Sequence, residues 1–258
     1  MRTEFFIDEP NSKQPKYCIF LKKNCEKSII YTKSKDLFLE FRSLLSKTCI
    51  LNEFTSNFSV IKKIGKGAFA SVYLCKRIED GELMAVKSFK KKELNNDKNG
   101  IPSLLNEIAI LKCLSGHPNI IKLHQIHEDK SKVHLIMDLL TGGDLSEIIS
   151  QQKIPVHEVS SILRQILSAL KEMHSKKIIH RDIKPENILL SSKVAPYKIV
   201  LADFGFSAFL ETDIDKFIYK RCGTPGFVAP EILNYDRGMP FYNEKVDIFS
   251  AGSLFYQM

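Results

Sequence analysis

His180-Arg181-Asp182-Ile183-Lys184-Pro185-Glu186-Asn187 is the stretch on which the reading of this 258-residue chain turns. An octet of this kind is negligible as a chance occurrence, and it does not stand alone. Downstream lie Asp203-Phe204-Gly205, Cys222-Gly223-Thr224-Pro225-Gly226-Phe227-Val228-Ala229-Pro230-Glu231 and Lys245-Val246-Asp247-Ile248-Phe249-Ser250. Upstream lie Gly65-Lys66-Gly67-Ala68-Phe69-Ala70-Ser71-Val72 and Ala85-Val86-Lys87. Glycines between two strands let the backbone approach a phosphate and aim N–H groups at it. Taken alone, a Gly-x-Gly hairpin is more often just a turn, and Lys87 would be a solvated strand lysine. The order of the motifs makes the set specific.

The elements around these motifs fall into two regimes. Strand patterning covers 58–64, 70–78 and 82–89, a helix is predicted over Ser103 to Leu114, and strands follow near 120–126 and 132–138. Beyond Thr141-Gly142-Gly143 the pattern turns helical, over 144–152, 156–175 and 244–258. Upstream, residues 1–16 are polar, contain Pro10 and Pro15, and read as a leader or loop. Short strands are predicted for Lys16 to Leu21 and Ser28 to Thr32. Leu37, Phe38, Phe41, Leu44, Leu45 and Thr48 then fall at helical spacing, with Ser34 or Asp36 available near the start.

Composition bounds the function. With 44% hydrophobic and 26% charged residues, the chain is neither wholly disordered, nor collagenous, nor a disulfide-dense mini-protein. No stretch approaches 18 consecutive apolar residues, and Glu4, Asp8 and Glu9 interrupt or flank the short N-terminal run Phe5 to Ile7, which argues against a secretory signal. The expectation is a soluble, cytoplasmic protein. Its net charge of +8 permits anionic partners, but the lysines are dispersed, and the densest cluster, Lys90-Lys91-Lys92, is followed by Glu93. No nucleic-acid binding is expected, because no aromatic-interleaved basic motif accompanies the charge. The six cysteines are scattered without a C-x-x-C pair, as in a reduced protein with no zinc site.

From Phe58 to Met258 the ordered motifs resemble the eukaryotic protein kinase family, Ser/Thr type, close to the calcium/calmodulin-dependent-like group. The resemblance implies an α+β, two-lobed fold: a β-rich N-lobe with one helix, then an α-rich C-lobe. It implies an ATP-dependent enzyme that transfers the γ-phosphate to a protein Ser or Thr, with ATP and Mg²⁺ bound. By the same resemblance Asp182 accepts or orients the proton of the attacking hydroxyl, Lys184 neutralises the γ-phosphate, and Asn187 and Asp203 hold the metal. Lys87 grips the α- and β-phosphates, with Glu107, twenty residues later, as its partner. A half-buried carboxylate among Leu104, Leu105, Ile108 and Leu111 needs such a cation. Ile64, Gly65, Lys66, Gly67, Ala68, Phe69, Ala70, Ser71 and Val72 form the nucleotide-covering loop, with Ala70 where the family's third glycine usually stands. Val72, Ala85 and Leu189 sandwich adenine, Met137 is the gatekeeper, and Asp138 to Leu140 is the hinge. Leu111, Leu123, Phe204 and His180 stack as a spine. Thr224 bonds Asp182 and Lys184, and Asp247 braces the catalytic loop from below.

Further expectations concern specificity, regulation and the ends of the chain. Asp144 and Glu186 resemble the acidic pair that receives an arginine three residues before the target, with ribose binding as the other reading of Asp144. The usual phosphorylated position of the activation segment is Lys220. Thr212 and Tyr219 are substitutes, while Glu211, Asp213 and Asp215 supply fixed charge, so activity without loop phosphorylation is expected. The family's domain normally continues beyond the helix that holds Asp247, so a domain incomplete at its C-terminus is expected, with Glu231 lacking its arginine. Residues 1–57 read as an N-terminal extension and 58–258 as the kinase domain. The extension resembles the end of a pleckstrin-homology domain, with a phosphoinositide or regulator contact, or else is a helical extension packed on the kinase lobe. A catalytically inactive pseudokinase used as a scaffold is the alternative function. Lys87, Glu107, Asp182, Asn187 and Asp203 are all present, which favours the enzyme.

Overall fold

The computed structural model describes residues 2–8, 16–23, 26–52, 54–67, 70–210, 221–236 and 241–258. The chain divides into two compact units, Met1–Asn96 with Leu123–Leu139, and Asp97–Lys122 with Leu140–Met258.

The first unit is built on a mixed sheet. Its strands are β1 (Arg2–Asp8), β2 (Lys16–Lys23), β3 (Glu26–Thr32), β4 (Ile50–Leu51), β5 (Phe58–Lys66), β6 (Ala70–Arg77), β7 (Leu83–Lys90), β8 (Leu123–Glu128) and β9 (Lys132–Met137). Their order is β3-β2-β1-β4-β8-β9-β7-β6-β5. Residues upstream of Phe58 therefore continue the same sheet and share one unit with β5–β9. The link is β4, which runs parallel to β1 on one side and to β8 on the other, with Leu51 opposite His127.

Helix α1 (Lys35–Thr48) starts where Ser34 Oγ accepts the Leu37 N–H at 3.2 Å, an N-cap, with Asp36 in the first turn. It buries Phe38 against Tyr17 and Ile19 of β2. The short helices α2 (Phe54–Asn57) and α3 (Lys91–Asn96) complete the unit, with Phe54 and Leu94 buried. Phe54 and Phe58 form a core with Cys75, Met84, Val86 and Ile136.

The second unit is mainly helical, with α4 (Gly100–Cys113), α5 (Leu145–Gln151), α6 (Val156–Ser175), α7 (Pro230–Leu233) and α8 (Lys245–Gln257). Helix α4 begins three residues before the predicted Ser103, because Pro102 is tolerated in a first turn whose N–H groups lack intrahelical partners. Helix α6 buries Val159, Ile162, Ile166, Ala169, Leu170 and Met173, spacings of three and four that define one apolar face. Helix α8 buries Val246, Asp247, Ser250, Ala251 and Leu254, while Ile248, Phe249, Phe255 and Tyr256 are exposed. Two small ladders, β10 (Ile178–Ile179) with β13 (Ala208–Phe209) and β11 (Ile188–Leu190) with β12 (Ile199–Leu201), bracket the central loops.

Most predicted elements lie within a few residues of their observed bounds, but residues 2–8, read as leader or loop, form β1. The strand is made by antiparallel pairing with β2 over its whole length and by parallel pairing of Arg2 and Thr3 with the distant Ile50 and Leu51, and the latter has no local signal in the sequence.

The Gly142-Gly143 break is a close backbone crossing. Gly142 N–H donates to Leu190 O and Leu190 N–H to Gly143 O, each at 2.9 Å. A Cβ on Gly142 would lie 2.6 Å from Leu190 O and Ser192 N, backbone atoms that cannot yield. Gly142→Ala is expected to cost about 1–3 kcal/mol, the range for overpacking. Gly252→Ala in α8 meets open space and should gain up to about 1 kcal/mol from helix propensity. Urea unfolding of the two variants checks the contrast.

Candidate active site

The centre of the second unit is a loop braced by a buried carboxylate. Asp247, 0% exposed on α8, accepts the His180 N–H on Oδ2 at 2.9 Å and the Arg181 N–H on Oδ1 at 2.8 Å. His174 Nε2 of α6 lies 2.9 Å from Oδ2. Two converging backbone donors hold Arg181 at φ 70°, a left-handed conformation that is uncommon without glycine. The Arg181 side chain is buried; Nε donates to Phe206 O at 2.6 Å and Nη1 to Tyr242 Oη at 2.9 Å. Burial raises the Tyr242 phenol pKa, although the Arg181 charge pulls the other way.

His180 is fully buried, and burial lowers its pKa against the opposing charges of Asp247, Asp182 and Asp203. A neutral ring suits its contacts: Nε2 donates to Ala202 O at 3.2 Å while Nδ1 accepts the Asp182 N–H at 3.3 Å. Phe204 meets the ring edge-on, with centroids 5.0 Å apart.

Asp182 projects from this frame with every contact fixed. Its Oδ1 accepts from Thr224 Oγ1 at 2.6 Å. Its Oδ2 lies 3.0 Å from Lys184 Nζ and accepts from Asn187 Nδ2, also at 3.0 Å. Lys184 Nζ donates to Thr224 Oγ1 at 2.8 Å, closing a ring of polar contacts. Asn187 spends its amide N–H groups on Asp182 Oδ2 and on Asp182 O at 2.8 Å, which aims its carbonyl oxygen elsewhere as an acceptor. Ala202 N–H donates to Asn187 O at 2.9 Å, extending the β11–β12 pairing so that Asn187 lies across from the residue preceding Asp203. Asp203 is exposed, at φ 57°.

An amide oxygen and a carboxylate are hard donors that suit Mg²⁺, which keeps several water or phosphate ligands of its own. No cluster of three His, Cys, Asp or Glu occurs among the described residues, so a denser, self-sufficient metal cage is not offered there.

In the first unit, register sets which residues share a face. Val72 lies opposite Lys87, and Ala85 lies opposite both Leu74 and Met137. Val72, Ala85, Lys87 and Met137 therefore share one side of the sheet. Lys87 Nζ sits 5.4 Å from the Phe89 ring centroid. Gly65 faces Val72, Lys66 faces Ser71, and Gly67 N–H donates to Ala70 O at 2.8 Å. Ala70 is not among the residues with positive φ, so its Cβ is accommodated where the family usually has glycine. Ala68 and Phe69 lie outside the described residues. Ile64 is exposed on β5, and Asp138 Oδ1 lies 2.5 Å from His124 Nε2.

The other predicted residues are distributed as follows. Glu107 is 3% exposed on α4 of the second unit, whereas Lys87 belongs to the first. Asp144 caps α5 by accepting the Glu147 N–H at 3.2 Å and bridges to Leu189 of β11, and Glu186 is exposed in a 3₁₀ turn over Pro185–Asn187. Leu140 is half-buried. Glu231 is exposed at the start of α7. Glu211, Thr212, Asp213, Asp215, Tyr219 and Lys220 lie outside the described residues. Tyr242 and His174 were not anticipated. They reach their partners across 61 and 73 positions of sequence, and no local signal marks such pairs.

Comparison with known proteins agrees with this geometry. Residues 58–258 match the protein kinase domain family. A putative ribosomal protein S6 kinase alpha-2 of Caenorhabditis elegans is 34% identical over 228 residues, covering 85% of this chain and 29% of that protein. A calcium/calmodulin-dependent protein kinase type 1 of Caenorhabditis briggsae is 38% identical over 195 residues, 75% of this chain and 52% of that protein. Calcium-dependent protein kinase 21 of Arabidopsis thaliana is 37% identical over 202 residues, 77% and 36% respectively. The chain thus spans between about a third and a half of the length of these relatives. With a fixed aspartate, its lysine and asparagine neighbours, and a match running through every one of the motifs, the chain belongs to the protein kinase family.

Proposed function

We propose that the protein is an ATP-dependent Ser/Thr protein kinase that transfers the γ-phosphate to a hydroxyl of a protein substrate. The observation that carries this reading is Asp182, whose two oxygens are held by Thr224, Lys184 and Asn187. Phosphoryl transfer has a loose transition state, so positioning and charge neutralisation contribute most of the rate. A carboxylate fixed in this way orients the attacking hydroxyl and takes up its proton. Lys184, 3.0 Å from that carboxylate, supplies positive charge where the transferred group gains negative charge. Mg²⁺, when bound, offsets the charge of the phosphates, and Asn187 and Asp203 are the residues that would hold it. Within the first unit, Lys87 would bind the α- and β-phosphates, and Val72, Ala85 and Met137, on the same side of the sheet, would contact adenine. No observation favours the scaffold reading.

The substrate is proposed to carry a basic residue three positions before the target, received by Asp144 and Glu186; complementary charge selects partners largely by excluding wrong ones. A cytoplasmic location, and a phosphoinositide or regulator contact through residues 1–57, belong to the same proposal; the ten Lys and Arg against seven Asp and Glu in that segment are compatible with the latter.

In the intact protein, Lys87→Met or Asp203→Asn is expected to lower phosphate transfer on the order of 10²-fold or more, because each removes a charge held against the polyphosphate. Near-normal turnover in either variant, measured by radiolabelled phosphate incorporation, would refute the assignment. On a peptide array, arginine three residues before the acceptor should be enriched, and the preference should weaken in Glu186→Gln. An array dominated by acidic or proline-directed peptides would rule out the acidic receiver.

A further inference from the structure

In the first unit, residues upstream of the family match are fastened to the β8–β9 hairpin by two histidines. His134 of β9 is held at both ring nitrogens, with Ser88 Oγ 2.8 Å from Nδ1 and Asp129 Oδ2 3.0 Å from Nε2. Asp129 also accepts the Ser131 and Lys132 N–H groups at 2.7 and 2.8 Å. Although the order is hydroxyl, imidazole, carboxylate, Ser88 is only 6% exposed, so the chain of bonds serves to fix a ring and not to attack a substrate. Phe54 of α2 lies flat on that ring, with centroids 3.9 Å apart and planes 8° apart. His127 of β8 meets Phe54 and Phe58 edge-on, at 6.1 and 5.3 Å, and faces Leu51 of β4 in the ladder. It is 1% exposed, and Nε2 lies 3.1 Å from Gln125 Oε1.

We propose that residues 50–52 and 54–58 form a proton-released latch, docked on the β8–β9 hairpin while His127 is neutral and let go when its ring takes up a second proton.

The groups around His127 all bear on this. Arg42 of α1, itself bonded to Asn57 Oδ1 at 3.0 Å, and His134 of β9 both disfavour a charge there, and only the Asn52 backbone favours it. Burial is the largest cause, and together they push the His127 pKa from 6.5 down to about 4. Burial also lowers the pKa of His134; the Asp129 carboxylate opposes that shift and Lys132 adds to it. Asp129 itself is pushed down, because the bonds from His134, Ser131 and Lys132 outweigh its own burial. Releasing the latch returns the His127 ring to water and to its ordinary pKa. The sign follows: docking is fully supported above pH 6.5 and weakens as pH falls from 6.5 towards 4, by about tenfold per unit for one proton.

The test is hydrogen exchange by mass spectrometry on the intact protein, corrected for the intrinsic chemical rate, at pH 7.5 and 5.5. Opening of residues 50–52, 54–58 and 126–128 is expected to rise about tenfold at the lower pH, while peptides from β6 and β7 keep their protection. His127→Leu and His127→Gln should each cut the rise to less than about threefold. An unchanged opening in the natural protein, a full rise in both variants, or β6 and β7 opening in step would overturn the latch. A ring titration of His127 by NMR needs no variant: a midpoint well below 6 supports the proposal, and one near 6.5 overturns it.

Discussion

A fully buried carboxylate underlies the arrangement of the second unit. Asp247 gathers the His180 and Arg181 N–H groups and the His174 ring on its two oxygens, at zero exposure. A left-handed φ on a bulky residue such as Arg181 costs about 1–3 kcal/mol. Hydrogen bonds to a charged group contribute about 1.5–3 kcal/mol each, so two of them exceed the strain and fix the turn. That turn sends the Arg181 side chain one way, to Phe206 O and Tyr242, and Asp182 the other, to Thr224, Lys184 and Asn187. Because His174 belongs to α6 and Asp247 to α8, the packing of two helices and the geometry of the loop are one constraint.

The same economy governs the residues proposed to hold the metal. Asn187 spends both N–H groups on Asp182, so its remaining acceptor is oriented before any ion arrives. Asp203 takes a left-handed backbone, like Arg181, and follows directly on Ala202, whose N–H is bound to Asn187 O. Strain at two of the polar residues, set by a short ladder and a buried carboxylate, is what preorganisation means in physical terms here.

How far the sequence discloses this depends on whether an interaction is local. The octet 180–187, the glycine loop and Lys87 are legible because phosphate chemistry demands particular residue types at short spacings. Helices α1 and α6 are legible because their apolar faces recur every three to four residues. Arg181 with Tyr242 is not, since either residue would look ordinary without the other. Nor is β4, where two residues gain their conformation from strands on both sides. The sequence around Asp144 suggests an arginine receiver or a ribose contact, whereas the observed contacts use one oxygen to cap α5, a role any N-cap aspartate could fill.

The start of the kinase-domain match at Phe58 is not a boundary in the packing. Phe54, four residues before the match begins, shares a core with Phe58, Cys75, Met84, Val86 and Ile136, and its ring covers His134. His134 in turn is bonded to Ser88, the neighbour of Lys87 on β7, and β7 lies beside β9 in the sheet. The strand that carries the phosphate-binding candidate therefore shares a core with Phe54, which lies before the family match begins. A segment lying outside the family match can still be part of what holds the family's lysine in place, because burial and pairing follow space and not the alignment.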